Sequence, residues 1–262
     1  MKVVFCRYRE GTMTVSPDSS DGPALLSATA TLGGYFAIAP QGAAEGSHLA
    51  ALLNAETLTT FVDRTRSAIA TSTACEPSRI PRRLAASSFQ LNVVSRLVSP
   101  VLGSAVVGGA VPLFTPESVR WIETDGHSPH FETANVECAS APTPVRAAEL
   151  ISDSLLATIV GPLNETLKTT ASLSDRVSWG NTISAANGAV TVMAMSRPDL
   201  EQSGRALVRA LLDIGPLHDT GDFDGGRFVR HSCCLFYQAP SGGLCGDCVL
   251  TASGGSQQTQ VH

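Results

Sequence analysis

The sequence predicts an α+β fold: a mostly helical body with a short hairpin or small sheet, and a cysteine-bearing module at its C-terminal end. Three observations support this class. Between residues 47 and 214, apolar residues recur at the three- and four-residue spacing of amphipathic helices. One short segment has the apolar–turn–apolar pattern of a hairpin. Four of the seven cysteines lie within residues 233–248.

The composition is that of a globular protein. The 262 residues are 43% hydrophobic and only 16% charged, so the chain can build a core without staples. The net charge of −5 and the pI near 5.6 argue against nucleic acid as a partner. The apolar run after Met1 is too short for a signal peptide, so we expect a cytoplasmic protein with reduced thiols. Met13 is an alternative start.

Four regions are predicted along the chain. Residues 1–22 form a disordered N-terminal tail, residues 23–225 the helical α+β body, residues 226–252 the cysteine module, and residues 253–262 a second disordered tail. We call residues 226–252 the C-terminal module.

Five helices are expected in the body. The first covers residues 47–70, with Ser47 as its N-cap, and the second covers residues 81–99. Thr143-Pro144 is a typical helix start, and Gly161-Pro162 should kink or end the helix that follows. The last two cover residues 174–196 and 198–214.

A hairpin is expected between the second and third of these helices. Trp121 and Ile122 precede an Asp125-Gly126 turn, and Phe131 follows it.

The stretch at residues 97–116 is uncharged and long enough to span a bilayer. However, Pro100, Pro112 and Pro116 interrupt it together with three glycines. We therefore predict a buried helix that breaks into a loop and a strand, and no transmembrane span.

The cysteines of the C-terminal module follow the pattern Cys-Cys-x10-Cys-x2-Cys. Residues 235–239 between the pairs resemble a strand, and residues 240–243 ("PSGG") form a turn signal. A hairpin here would bring Cys245 and Cys248 opposite Cys233 and Cys234.

Three chemistries can use four such thiols. Disulfides are disfavoured in a reducing compartment, and a bond between adjacent cysteines is strained. A structural zinc ion needs four thiolates in a tetrahedron, for which adjacent cysteines are uncommon ligands. A [2Fe–2S] cluster has two irons that each need two thiolates, and is favoured, although zinc remains open on these grounds.

The segment "RHSCCLFYQAPSGGLCGDCVL" (residues 230–250) resembles the C-terminal signature of the FhuF-type ferric-siderophore reductases. Weaker similarity extends through "RLVSPVLGSAVVGGAVPLF" and "VSWGNTISAANGA". The resemblance implies that Cys233, Cys234, Cys245 and Cys248 ligate a [2Fe–2S] cluster, so that the C-terminal module is an iron–sulfur module.

The same resemblance implies an oxidoreductase that passes single electrons through the cluster to ferric siderophores and releases iron as Fe(II). Fe(II) binds hard oxygen ligands far more weakly than Fe(III) does, so reduction releases the metal. No G-x-G-x-x-G fingerprint follows a strand, so the electron should come from a soluble one-electron donor such as a ferredoxin. The alternatives are a non-enzymatic [2Fe–2S] electron carrier or redox sensor, and a zinc-stabilised siderophore-binding protein.

Several arginines are candidate docking residues. Arg227 and Arg230 stand just before the cysteines, where they could attract an acidic donor or an anionic siderophore, or could simply be solvated. Arg79, Arg82 and Arg83 form a basic patch at a helix start, for which the same two interpretations apply.

The remaining candidates are expected to lie outside the chemistry. His231 should be a neighbour of the ligand set, because four cysteines complete it. His127 and His130 should lie in a surface turn, and Trp179 and Asn181 should serve packing. Three scattered cysteines should be ordinary thiols: Cys6, Cys75 and Cys138.

Overall fold

The computed structural model describes residues 21–40, 46–124, 126–133, 136–240 and 242–252. The α+β class is confirmed: helices dominate, and the strands are short. The α-helices of the described residues are α1 (Asp21–Ala30), α2 (Leu49–Leu52), α3 (Ala55–Ser72), α4 (Arg82–Gly108), α5 (Pro144–Ile151), α6 (Gly161–Ala171), α7 (Asp175–Ser196), α8 (Glu201–Leu212) and α9 (Val249–Ala252).

The strands form three small sheets. The bounds are β1 (Ala39–Pro40), β2 (Ser47–His48), β3 (Ala110–Pro112), β4 (Val119–Ile122), β5 (His130–Thr133), β6 (Cys138–Ser140), β7 (Gly221–Asp224) and β8 (Arg227–Arg230). One sheet has the order β1-β5-β4-β2, in which only β1 and β5 are parallel. The pairs β3–β6 and β7–β8 are antiparallel.

Helix α4 is the centre of the body. It packs most extensively against α7 and also against α3 and α1, so its apolar residues are buried on several sides. By length and composition it could cross a membrane, but 61% of its most apolar window is buried inside the structure. The predicted buried helix at residues 97–116 is thus the second half of α4. It continues through Pro100 and ends at Gly109, whose φ of +64° is left-handed.

Two of the predicted helix boundaries differ in the structure. Ser47 lies in β2 rather than at an N-cap, and α3 begins after Asn54, whose side chain accepts a hydrogen bond from the Glu56 N–H at 2.8 Å. Gly161-Pro162 does not end the helix that starts at Thr143, because a π-helical segment (Ser152–Val160) joins α5 to α6. In this wider turn the Gly161 N–H bonds to the Leu156 carbonyl, five residues back, so the missing N–H of Pro162 is accommodated.

Other predictions for the body are confirmed. The Thr143 side chain caps α5 by accepting from the Arg146 N–H at 3.2 Å. Strands β4 and β5 form the expected hairpin, with Trp121 opposite Phe131. Asp125 of its predicted turn lies outside the described residues.

The C-terminal module differs from its prediction. Residues 235–239 do not form a strand; a single 3-10 turn (Phe236–Gln238) follows Leu235, whose φ is +71°. The hairpin at this end is instead β7–β8, which lies before the cysteines. The predicted tails lie outside the described residues, except for Asp21 and Gly22, which begin α1.

Candidate metal centre

Helix α7 provides a close backbone approach for the module. A Cβ atom placed on Gly180 would lie 2.0 Å from the Ser232 hydroxyl oxygen, so a larger residue here would force the Ser232 side chain to move. The Arg176 guanidinium donates to the His231 carbonyl at 2.7 Å. These contacts fix the chain against α7 immediately before Cys233.

Helix α4 holds the module on its other side. Leu235 and Ala239 pack with Ile80 and Leu84 in a small apolar cluster beside the main core. The Ser87 hydroxyl donates to the Cys234 carbonyl at 2.8 Å. The adjacent cysteines therefore lie between α4 and α7.

The four thiols of the module come together as two pairs. The Cys234 and Cys245 sulfurs are 4.0 Å apart, and the Cys233 and Cys248 thiols interact with each other. Cys234 and Cys248 are buried, whereas Cys233 and Cys245 are half-buried. Among the described residues, no three His, Cys, Asp or Glu side chains gather as they would around one metal ion. Two pairs of thiols fit a cluster of two irons, each of which takes two thiolates.

The left-handed backbone of Leu235 turns N–H groups toward these sulfurs. Its own N–H donates to the Cys233 sulfur at 3.3 Å, and the Phe236 N–H reaches Cys234. A non-glycine residue with positive φ is uncommon, so this turn is a local feature that the prediction missed. Backbone N–H groups of this kind stabilise negative charge on sulfur.

Three thiols of the module have shifted pKa values. The hydrogen bond between Cys234 and Cys245 lowers the pKa of Cys234 to about 5, helped against burial by the Phe236 N–H and the Arg230 charge. The pKa of Cys245 is raised, first by that same hydrogen bond and then by burial. Burial is also the main cause of the raised pKa of Cys233. Cys234 is thus the thiol most readily converted to the thiolate that binds metal.

Arg230 is not the surface or docking arginine that the sequence suggested. Its side chain is only 1% exposed. One terminal nitrogen donates to the Cys245 sulfur at 2.8 Å and the other to the Asn181 amide oxygen at 2.9 Å. Burial lowers the pKa of Arg230, but the charges of Asp247, Cys234 and Cys245 outweigh it, so the pKa is raised. Arg227, by contrast, is exposed and donates to the Gly246 carbonyl at 2.5 Å.

Asn181 connects the module to a buried polar network in the body. Its amide nitrogen donates to the Ser87 hydroxyl at 3.0 Å and to the Gln90 side-chain oxygen at 3.1 Å. Gln90 in turn donates to Asn164 at 3.1 Å. The sequence indicated only packing for Asn181. The signal available for a positioning role was a polar amide next to Gly180 in a helix that is otherwise rich in small residues.

Asp247, inside the C-x-x-C segment, is also tied to the body. Its carboxylate accepts a hydrogen bond from the Ser184 hydroxyl of α7, and its carbonyl accepts from the Arg230 N–H at 3.1 Å. The second cysteine pair is thereby attached to the same helix as the first.

The other candidate residues lie apart from the thiol pairs. The His231 ring bonds through Nδ1 to the Asp219 carbonyl at 2.8 Å. In the basic patch, Arg82 pairs with Asp63 at 3.4 Å, and the exposed Arg83 donates to the Gln238 side chain at 3.4 Å. Of the other candidate residues, His127 lies in a loop, Cys75 follows α3 and Cys138 lies in β6. His130 lies in β5 rather than in the predicted turn, and Cys6 is outside the described residues.

The fold and thiols define the class of protein: a helical α+β body that carries an iron–sulfur module. Residues 230–250 match the family model described as the FhuF 2Fe-2S C-terminal domain. This match covers the cysteine module alone, and with the clustered thiols it supports a [2Fe–2S] cluster as the cofactor. No curated protein matches the chain.

Proposed function

We propose that Cys233, Cys234, Cys245 and Cys248 ligate the [2Fe–2S] cluster of a soluble, cytoplasmic ferric-siderophore reductase. Its electrons come from a soluble one-electron donor such as a ferredoxin. When bound, the cluster supplies one-electron chemistry, which needs no general acid or base from the protein. The observation that carries the proposal is an open cavity directly beside one thiol pair.

This cavity lies between α4 and the C-terminal module. Its volume is about 360 Å³. It is lined by residues of both parts: Ser87, Ser88, Leu91, Cys234, Phe236, Gly243, Leu244 and Cys245. A small molecule bound in this cavity would contact Cys234 and Cys245.

The rim of the cavity suits a bulky, partly apolar ligand. Phe236 is 42% exposed and Leu244 50%, and exposed apolar side chains that cluster mark binding surfaces. The exposed Arg83 lies one helical turn before Ser87 on α4, and so offers positive charge near the same surface. A ferric complex of hydroxamate or catecholate oxygens presents both an apolar ligand shell and, often, negative charge.

The reductase activity can be tested by single turnover. Anaerobically reduced protein is mixed with increasing ferric siderophore, and Fe(II) is trapped by a chromogenic chelator while cluster absorbance is followed. Stoichiometric reoxidation, with a rate that saturates with siderophore concentration, is expected. A rate that rises linearly and equally for Fe(III)–EDTA would contradict the proposal and favour the simple electron carrier.

The cavity is tested by a pair of surface variants. Leu244→Ser should raise the half-saturating siderophore concentration several-fold, because it removes apolar contact area at the rim. Met195→Ser, at a residue that is 83% exposed on α7, is the matched control and should leave the kinetics unchanged. Equal effects of the two substitutions would exclude the cavity as the binding site.

A further inference from the structure

Arg230 is the largest fully buried side chain among the described residues. A buried guanidinium is costly unless its charge is balanced and its N–H groups are hydrogen-bonded. Its hydrogen-bond partners given above are thiols and an amide, and the nearby Asp247 carboxylate balances the charge in part.

One atom of Arg230 remains without a partner. Nε is buried and has no hydrogen bond in the described part of the chain, although it belongs to the same planar group that contacts Cys245. Native proteins rarely leave a buried N–H group unsatisfied without a reason. Cluster sulfur beside this group would supply an acceptor, and the four thiolates would supply the negative charge.

We infer that Arg230 is a positioning residue that raises the reduction potential of the cluster, and that Asn181 holds its guanidinium in place. This rests on the ligand assignment proposed above, but not on the reductase activity. A cluster with four thiolates is anionic, and reduction adds one more negative charge. A fixed cation in a poorly solvated site therefore stabilises the reduced state more than the oxidised state.

The contacts explain why this residue rather than a neighbour has the effect. The planar fork of arginine can bind Cys245 and Asn181 at once, whereas the compact ammonium of lysine cannot reproduce both directions. Asn181 is itself fixed by Ser87 and Gln90, so the charge cannot withdraw toward solvent. Hydrogen bonds to ligand sulfurs shift the potential in the same direction as the charge.

Arg227 is the matched control. It stands in the same strand, β8, and also bonds to the module, but it is exposed, so its charge is screened by water and salt. Arg230→Gln and Arg227→Gln remove the same charge a few residues apart.

The test is a potentiometric titration of each purified holoprotein, followed by visible absorption and EPR, with no siderophore present. Arg230→Gln should lower the equilibrium constant for reduction by about tenfold or more, which is about 59 mV for a one-electron couple. Arg227→Gln should change it by less than about twofold, as a screened surface charge. Equal potentials for Arg230→Gln and the wild type, or equal shifts in the two variants, would overturn the inference.

Two further variants test whether Arg230 raises the reduction potential if the Arg230→Gln protein does not bind a cluster. Arg230→Lys keeps the charge and should stay closer to the wild-type potential. Asn181→Ala keeps the arginine but frees one of its nitrogens, and should lower the equilibrium constant by about threefold, a hydrogen-bond-sized effect. A wild-type potential in Asn181→Ala, together with a cluster-free Arg230→Gln, would mean that Arg230 is structural only. Failure of the wild-type protein to reduce ferric siderophores, with the predicted potential shifts observed, would instead contradict the proposed function and leave this inference standing.

Discussion

The helical body and the C-terminal module are stabilised by different interactions. The body has a continuous apolar core, in which residues such as Phe89 and Leu97 of α4 are wholly buried. The module contributes fewer apolar contacts, through Phe228 in the main core and through Leu235 and Ala239 in the small cluster. Its other buried side chains are Ser232, Arg230 and the thiols of Cys234 and Cys248. Hydrophobic burial therefore stabilises the body, whereas we expect the module to depend more on its cofactor and on polar contacts with the body.

The difference indicates how a cluster site can be added to a stable scaffold. Metal binding contributes folding free energy where no preformed core exists, so a module can dispense with regular secondary structure. Ser87, Gly180 and Asn181 of α4 and α7 supply the fixed surface that such a module needs. Substitutions in the two regions should consequently have separable effects.

The largest difference between the two regions is expected from Cys248→Ser, which should remove the cluster but leave the body folded. Cys248 is 1% exposed, and loss of a proposed ligand should abolish the visible absorbance and the EPR signal of the reduced cluster. The helical circular dichroism should persist, since the core of the body does not involve this residue. Cys75→Ser, at a thiol outside the module, should retain full cluster content. A Cys248→Ser protein with wild-type iron and sulfide content would contradict the ligand assignment.

The reverse separation is expected from Leu97→Ala. Leu97 is completely buried in α4, so the substitution should lower the free energy of unfolding of the body by about 2–5 kcal/mol. The reduction potential of the folded protein should stay at the wild-type value, because Leu97 is not among the contacts that hold the module. Urea denaturation and potentiometry measure the two effects. A potential that moved with stability would show that body and module are not separable.

A smaller effect is expected where the two regions meet. Gly180→Ala introduces a Cβ that would overlap the Ser232 side chain, and should destabilise the contact between α7 and the module by about 1–3 kcal/mol. The matched control is Gly188→Ala in the same helix, where an added Cβ meets nothing within 4 Å and should stabilise α7 by up to about 1 kcal/mol. Cluster release to a chelator should be faster only in Gly180→Ala. Equal release rates for the two variants would show that Gly180 does not help to hold the module against α7.

Sequence reasoning predicted best where one local rule decides the structure. The Thr143 cap, the hairpin of β4 and β5, and the helix at residues 174–196 follow from spacing and turn chemistry. The boundary at residues 47–54 was missed because strand pairing with β4 outweighed helical periodicity. Gly161-Pro162 did not end its helix because packing sustained a π-helical turn, which no local pattern predicts.

At the candidate site, the sequence indicated the thiols but not their surroundings. The cysteine spacing predicted that the four thiols approach one another, whereas the predicted hairpin between the pairs is replaced by a left-handed Leu235 and a 3-10 turn. Arg230 appeared to be a surface charge because alternation along β8 says nothing about α7, which covers it. The partnership with Asn181 joins residues 49 positions apart, so only tertiary structure reveals it.

The smallest predicted effect concerns a single hydroxyl between the two regions. Ser87 donates to the Cys234 carbonyl at 2.8 Å and accepts from Asn181 at 3.0 Å. Ser87→Ala should therefore cost about 1 kcal/mol, because a buried carbonyl and a buried amide each lose one partner. Ser88→Ala, on the neighbouring half-buried residue that lines the cavity, is the control and should retain cluster-release kinetics like those of the wild type. If chelator-driven release is several-fold faster for Ser87→Ala alone, this hydrogen bond to α4 helps to retain the cluster. Identical rates in both variants would show that the Ser87 hydroxyl has no such role.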